Sequence, residues 1–513
     1  MLGGLSVVKN SYLNNPEKLY EKLISLRTEV TKEGDKLYQK WQPFLKKEKQ
    51  ESSVKNLAYY LALRNHDIRK IQEALTPWGL SSLGRLESRV LDNLNAVILS
   101  LGTILGKEKE TTAGEYPSME DYLANNKELE KNTETIFGKK PAERFTRIMV
   151  TIPGPAAKDS KLIEDLMKAG MNVARLNCAH DDPETWQGII KNIRKCEKKL
   201  DQKCQVLMDI AGPKARISWI FTNLKKPKVK VGHQFLLTGS DTPPKMSGIE
   251  LMIGCNIPEI ISHLKQGDPI KIDDGIVEGV IKEITEQGAV IETTKVDSKK
   301  GVRLKAEKGL NFPASNVKMD FITDKDKSDL DFVCNHADII GFSFVKNVED
   351  VQEIQQELLK RMPKKKAQKT PLLAKIETVE AVRKLPEIIV AAAGQNPFSV
   401  MIARGDLAVE AGFLRLAELQ QEILWICEAA DVPVVWGTQV LENMVATGIP
   451  TRAEVTDAAQ GSRSECVMLN KGEYLRESVT FLDNVIKQMH EHEYKKTPKL
   501  RALNIAKREI EKE

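Results

Sequence analysis

The sequence predicts an α/β protein: a (β/α)8 TIM barrel with an inserted small antiparallel β-barrel domain and an N-terminal α-helical module. Three observations carry that prediction. From about residue 144 to 490, eight short apolar runs are separated by helix-length amphipathic stretches. One interval among them is far too long for a single crossover and is filled with short alternating segments. The residues before 144 show helical periodicity and none of this alternation.

Taken in chain order, the module comes first and spans 1–143. "PEKLYEKLISLRTEVTKEGDKLYQKW" places Leu19, Leu23, Leu26 and Val30 at helical spacing. At least two further helices follow, interrupted at "TPWG" by Pro77 and Gly79. "GKEKETTAGEYPS" reads as a polar loop. No catalytic spacing is visible here. Asp67, Arg69 and Arg85 read as ion pairs on helix faces.

The apolar runs are "RIMVTI" (147–152), "NVARLN" (172–177), "QVLMDI" (205–210), "DIIGFS" (338–343), "LLAKIE" (372–377), "FSVMIA" (398–403), "VPVVWG" (432–437) and "ECVMLN" (465–470). Repeated βα units imply a parallel sheet, and eight of them match a closed barrel. An open doubly wound sheet is the alternative. The barrel is expected over 144–216 and 318–490. Between them, 217–317 holds "KVKVGHQFLLTG", "DPIKID", "GIVEGVIKEI", "GAVIETTKV" and "GVRLKAEKG", short and turn-bounded. This insertion leaves the barrel at the end where strands finish, so it is placed to act as a lid. Residues 491–513 read as a charged helical tail.

Bulk properties exclude some classes. With 513 residues, 41% hydrophobic and 29% charged, the chain is of ordinary globular composition. A net charge of +5 points neither to nucleic acid nor to a membrane surface. The seven cysteines are scattered, with no CxxC pair, which predicts reduced thiols and no zinc site. The start lacks the apolar run of a signal peptide and no stretch reaches membrane-spanning length, so a cytoplasmic location is expected.

The chemistry is written at the strand ends. In "PLLAKIETVEAVRK" (371–384), Lys375 and Glu377 lie two apart on a strand and share a face. An isolated ion pair at a solvated strand end would explain them alone. Other strands end in polar residues too: Arg175, Asn177 and then His180; Asp209 and then Arg216; Ser343 and Lys346; Arg404, Gly405 and Asp406; Thr438 and Gln439. That convergence predicts an active site at the C-terminal mouth of the barrel. Glu377 and Asp406 are hard oxygen ligands suited to Mg²⁺ or Mn²⁺. Arg175, Arg216 and Lys375 surround that position with positive charge, and Lys308 is expected to return from the lid as a further phosphate contact. A divalent ion ringed by cations suits phosphoryl transfer.

These residues carry a resemblance. "MNVARLNCAH", "MDIAGPKAR", "IDDG", "KGLNFP", "LLAKIETVEAV", "MIARGDLAVE", "GTQVLENM" and "PTRAEVTDAA" resemble, in order, the signature blocks of pyruvate kinases over about 145–490. The resemblance implies transfer of a phosphoryl group from phosphoenolpyruvate to ADP, giving pyruvate and ATP. It implies that Arg175 holds the phosphoenolpyruvate phosphate, Lys375 stabilises the transferring group, and Glu377 and Asp406 bind the divalent ion. Gly405 and Asp406 would receive the substrate carboxylate at a helix N-terminus, and Thr438 would assist protonation of the enol carbon. Asn177, His180, Arg216 and Lys308 would face the nucleotide phosphates.

The pattern also breaks. The family's potassium site uses Asn, Ser, Asp and Thr; here Asn177 and Asp209 remain, but Ala179 and Ile210 stand at the other two positions. Lys214 stands where a Glu is usual, which resembles members that need no K⁺: a fixed ammonium replaces the monovalent cation. "NKGEY" (470–474) stands where "SGETA" is usual. The resemblance stops near 490, so effector control and the family tetramer are not carried over. A homo-oligomer of another kind is expected, with the helical module as a candidate contact surface. Two other readings compete: a metal-dependent aldolase or lyase acting on a pyruvate enolate, and a non-catalytic relative that binds phosphoenolpyruvate and acts through its helical N-terminus.

Overall fold

The computed structural model describes residues 15–45, 50–107, 114–224, 228–313 and 320–500. The readings of the first fourteen residues, of 108–113 in the polar loop and of 501–513 in the tail lie outside the described residues.

Eight parallel strands close into a barrel. They are β1 (Arg147–Thr151), β2 (Val173–Asn177), β3 (Gln205–Asp209), β11 (Ile339–Phe342), β12 (Leu372–Ile376), β13 (Phe398–Ala403), β14 (Val434–Gly437) and β15 (Cys466–Leu469); the lid supplies β4–β10 between them. Each strand lies within one of the eight predicted apolar runs. Closure rests on β1, which pairs with β15 through Arg147↔Cys466 and with β2 through Met149↔Val173. That closure rules out the open doubly wound sheet.

The strands are apolar on both faces because both are covered. Met149, Val173, Leu207, Leu373, Met401 and Val435 fill the barrel interior, while their sequence neighbours pack under the surrounding helices. The interior cluster also takes in Ile136 and Phe137, which end the helix Ala124–Phe137 and plug the N-terminal end of the barrel.

The lid is a seven-stranded sheet in the order β10-β7-β8-β9-β5-β6-β4. Its strands are β4 (Ile217–Thr222), β5 (Gln234–Thr238), β6 (Leu251–Cys255), β7 (Pro269–Ile272), β8 (Val277–Thr285), β9 (Gly288–Val296) and β10 (Leu310–Asn311). Two details depart from expectation. β5 and β6 pair in parallel, through Leu236↔Met252, because residues 239–250 between them are long enough to cross over. "GVRLKAEKG" forms only the isolated bridges Val229↔Val302 and Arg216↔Gly309.

The N-terminal module is helical as predicted. Its first helix, Pro16–Trp41, starts where the Asn15 side chain accepts from Lys18 N and Pro16 presets the first turn. The break at "TPWG" is a 3₁₀ turn, Thr76–Trp78, ended by Gly79 at φ +67°. The module docks on the barrel through buried polar contacts. Ser53 Oγ donates to Asp431 Oδ2 (2.7 Å), and the Asn56 and Asn132 amides donate to the carbonyls of Ala429 and Asp431.

The tail is not helical throughout. The last helix ends at His492, and Glu493–Tyr494 and Thr497–Pro498 form a small hairpin turning at Lys495 (φ +54°). Burial of Lys495 against Glu465, and the ion pair of Lys496 with Glu87, hold this segment extended. All seven cysteines are buried free thiols. Among the described residues, no helix is long and apolar enough to cross a membrane.

Candidate active site

The C-terminal strand ends surround one cleft, lined by Arg175, Asn177, Lys214, Arg216, Lys375, Glu377, Gly405, Asp406 and Thr438. Nine of the eleven predicted site residues therefore meet. His180 and Lys308 are not among the lining residues. His180 follows β2, donating its N–H to Asn177 O, and Lys308 pairs with Asp273 at 2.8 Å inside the lid.

Local sequence explains the placement. β12 must stop at Glu377, because Thr378 caps the next helix, its hydroxyl accepting from Ala381 N (3.1 Å). β13 runs directly into the helix Arg404–Ala411, which sets Gly405 and Asp406 in the first turn. Thr438 follows β14 at φ +50°, unusual for a β-branched residue, and Gln439 and Leu441 are also left-handed. Arg404 fixes this turn from beneath: its guanidinium stacks on Trp436 and donates to the carbonyls of Gly437 and Thr438. Thr438 Oγ1 in turn accepts from Gly405 N at 2.8 Å, so one N–H of the expected carboxylate cradle is already engaged.

A buried charge network underlies the cleft. Lys375 Nζ lies 2.9 Å from Glu377 Oε1 and 3.7 Å from Asp209 Oδ2, and donates to Ser343 Oγ at 3.0 Å. Arg175 Nε donates to the same Asp209 oxygen (3.1 Å), and its Nη1 to Thr151 Oγ1 (3.1 Å). The other Asp209 oxygen has no hydrogen-bond partner among the described residues. Burial opposes the charge on Lys375, but Asp209 and Glu377 outweigh it and its pKa rises. Burial likewise disfavours the Asp209 carboxylate, and Lys375 with Arg175 bring its pKa below the ordinary value. Glu377 is pushed up by burial; Lys375 opposes that shift and the like charge of Asp406 adds to it.

Glu377 and Asp406 are the pair that fits a divalent ion. Both carboxylates share the cleft, and the like charge of Asp406 adds to the cost of ionising Glu377, which a cation between them would relieve. Among the described residues no group of three or more His, Cys, Asp or Glu forms a metal cluster. Two carboxylates, with substrate oxygens and water to complete the shell, are a donor set that suits Mg²⁺.

Other residues join the cleft that strand-end reasoning left without a role. Asp274 reaches it from the lid and Glu442 from the turn after β14, both with pKa raised by burial. Both stand in motifs visible in the sequence, "IDDG" and "GTQVLENM". Asn177 turns its side-chain oxygen to Ala179 N (3.1 Å), and Ile210 is buried. Lys214 Nζ lies 2.7 Å from Asp406 Oδ1.

A family model described as the pyruvate kinase barrel domain matches residues 143–479. The chain is 33% identical over 354 residues to a pyruvate kinase of Thermococcus litoralis, covering 68% of this chain and 70% of that one. It is 34% identical over 355 residues to a pyruvate kinase of Geobacillus stearothermophilus, covering 67% and 56%. With a pyruvate kinase of Thermotoga maritima it shares 31% over 359 residues, covering 67% and 71%. The match thus spans little more than half the length of the Geobacillus relative. The matched region holds the barrel, the lid and every lining residue of the cleft; most of the helical module precedes it. The order of elements, the cleft and these matches agree, and the chain belongs to the pyruvate kinase family.

Proposed function

We propose that this chain transfers the phosphoryl group of phosphoenolpyruvate to ADP, giving pyruvate and ATP, with Mg²⁺ or Mn²⁺ and without a requirement for K⁺. The observation that supports it most is the meeting of Arg175, Lys375, Glu377, Asp406 and Thr438 around one cleft at the barrel mouth. Arg175, held by Asp209 and Thr151, presents its guanidinium to the substrate phosphate. Lys375 is half-buried and charged, aimed where charge builds on the transferring group. Glu377 and Asp406 would hold the divalent ion, which supplies positive charge to bridging substrate oxygens. The first turn of the helix Arg404–Ala411 receives the carboxylate, and Thr438 stands beside it to guide a proton to the enol carbon.

On this reading Asn177 and Arg216 face the nucleotide phosphates, and His180 and Lys308 reach them through movement of their loops. Burial, Lys471 and Arg216 lower the His180 pKa, so it stays neutral at physiological pH. Lys214 provides the charge that K⁺ gives elsewhere, since Ala179 and Ile210 offer no side-chain oxygen. The proposal includes the division 1–143, 144–216, 217–317, 318–490 and 491–513, a cytoplasmic location and a homo-oligomer. A coupled assay for ADP-dependent pyruvate formation tests it. Activity that needs phosphoenolpyruvate, a nucleoside diphosphate and a divalent ion is expected. A folded protein inactive with every nucleoside diphosphate would overturn it.

A further inference from the structure

Each carboxylate assigned to the divalent ion carries a lysine ammonium. Lys375 sits on Glu377, and Lys214 sits on Asp406 at 2.7 Å. The two lysines are held differently. Lys375 has Asp209 and Ser343 as further partners in the barrel wall. Lys214 stands on the connection from β3 to β4, where the chain leaves the barrel for the lid. Its backbone belongs to the lid side: Lys214 O accepts from Asn256 Nδ2 (3.3 Å), and the same amide's oxygen accepts from Arg216 N (2.7 Å). Gly309, on the returning strand, leaves room for the side chain, since a Cβ there would lie 3.0 Å from Lys214 Cε. The ammonium also lies 5.9 Å from the Phe344 ring centroid.

The pair is largely withdrawn from water, the two side chains being 18% and 17% exposed. Asp406 shares the cleft with Glu377, Asp274 and Glu442, so its charge needs a cation close by. One carboxylate oxygen cannot serve an ammonium and a metal ion at full strength together.

Resting on the assignment of Glu377 and Asp406 to the divalent ion, we propose that Lys214 is an internal counter-ion that competes with that ion for Asp406. Loading of the site then releases the ammonium into the cleft, where it remains as positive charge for the substrate. Because Lys214 is anchored to lid residue Asn256, loading is also felt at the lid connection. Lys214 is thus a positioning residue whose removal tightens metal binding while weakening catalysis.

Mn²⁺ binding to the intact chain, read by electron paramagnetic resonance without substrate or nucleotide, tests this. Lys214→Gln should bind Mn²⁺ roughly tenfold more tightly, a coupling of ordinary size between two ligands. Lys214→Arg, which keeps the charge, should stay near wild type. Glu377→Gln should weaken binding. If Lys214→Gln binds no tighter than wild type while Glu377→Gln binds more weakly, the competition is refuted and the metal assignment stands. If Glu377→Gln and Asp406→Asn both leave Mn²⁺ binding unchanged, the assignment fails and the inference with it. A second readout needs no variant. Amine labelling of Lys214 in the wild type, followed by peptide mass spectrometry, should rise several-fold at saturating Mn²⁺. Unchanged labelling at saturation would overturn the proposal.

Discussion

Lys375 is a half-buried lysine kept charged by two carboxylates, and its position follows from one residue of strand register. A shift by one would turn it and Glu377 to the outer face of β12, where Ala374 and Ile376 now pack under helices. Lys375→Met should therefore lower kcat by about 10²–10³, with substrate binding largely kept, because the lost charge acts on the transition state. Steady-state kinetics check this: a large rise in KM at constant kcat would contradict it. The second residue-scale expectation concerns Lys214. Ala179 and Ile210 lack ligand oxygens, so wild-type activity should be flat between K⁺ and a bulky inert cation at matched ionic strength. Lys214→Glu would add a fifth carboxylate to the cleft of Glu377, Asp406, Asp274 and Glu442 and should lower kcat/KM on the order of 10²-fold. Added K⁺ should restore little of it. Strong K⁺ activation of the wild type would refute the substitution of ammonium for K⁺.

Single elements divide the labour between the two ends of the barrel. The turn after β14 holds three left-handed non-glycine residues, Thr438, Gln439 and Leu441, locked by Arg404 from below. Such conformations persist only where the surroundings impose them; here Thr438 and Gln439 line the cleft while Leu441 is buried in the core beneath it. At the opposite end the helix Ala124–Phe137 contributes packing and docking contacts and no residue of the cleft. Phe137 is 1% exposed and lies in the interior cluster with Met149, Leu207, Leu373 and Met401. Phe137→Ala should cost about 3–5 kcal/mol of stability, as large-to-small changes in a core do. Denaturant unfolding measures this. Turnover per folded molecule should stay near wild type, since chemistry sits at the other mouth. A fall in kcat with unchanged stability would reverse the assignment.

The whole molecule is tied together where the helical module, the helix Phe413–Ala429 and the C-terminal hairpin meet. Ser53 holds Asp431, Glu87 holds Lys496, and Glu465 holds Lys495. Glu428 sits among them, its pKa pushed up to about 7 by burial, with Lys495 opposing and Glu87 and Glu465 adding to the rise. A carboxyl group whose pKa rises on folding binds more protons folded than unfolded. Stability from this group is therefore lost as pH climbs from the ordinary 4.5 to about 7, at most about 3 kcal/mol in all. Glu428→Gln should remove that dependence: the variant should gain on the wild type in thermal midpoint between pH 5 and 7.5 and stay ahead above it. Parallel pH profiles of the two proteins would refute the shift.

Much of this molecule is local and therefore legible in its sequence. Strand positions follow from apolar runs, which exist because both barrel faces are covered. The convergence of Arg175, Lys375, Glu377, Asp406 and Thr438 follows from parallel strands ending at one mouth. The break at "TPWG" follows from Pro77 and Gly79. What period and spacing do not encode is pairing across long stretches of chain. The parallel β5–β6 pair depends on how residues 239–250 cross the lid. The hairpin at Lys495 depends on Glu465 and Glu87, far away in the chain, drawing two lysines out of a helical pattern. The plug of Ile136 and Phe137 depends on a barrel end that no local signal marks. The partner of Lys214 belongs to the same class. The sequence places a lysine near a charged mouth, but only the packed connection between barrel and lid puts its ammonium on Asp406, 192 residues further along. Such contacts are chosen by the burial of charge in the finished fold, where an unpartnered ammonium or carboxylate would cost several kcal/mol, on the order of the stability of a whole domain.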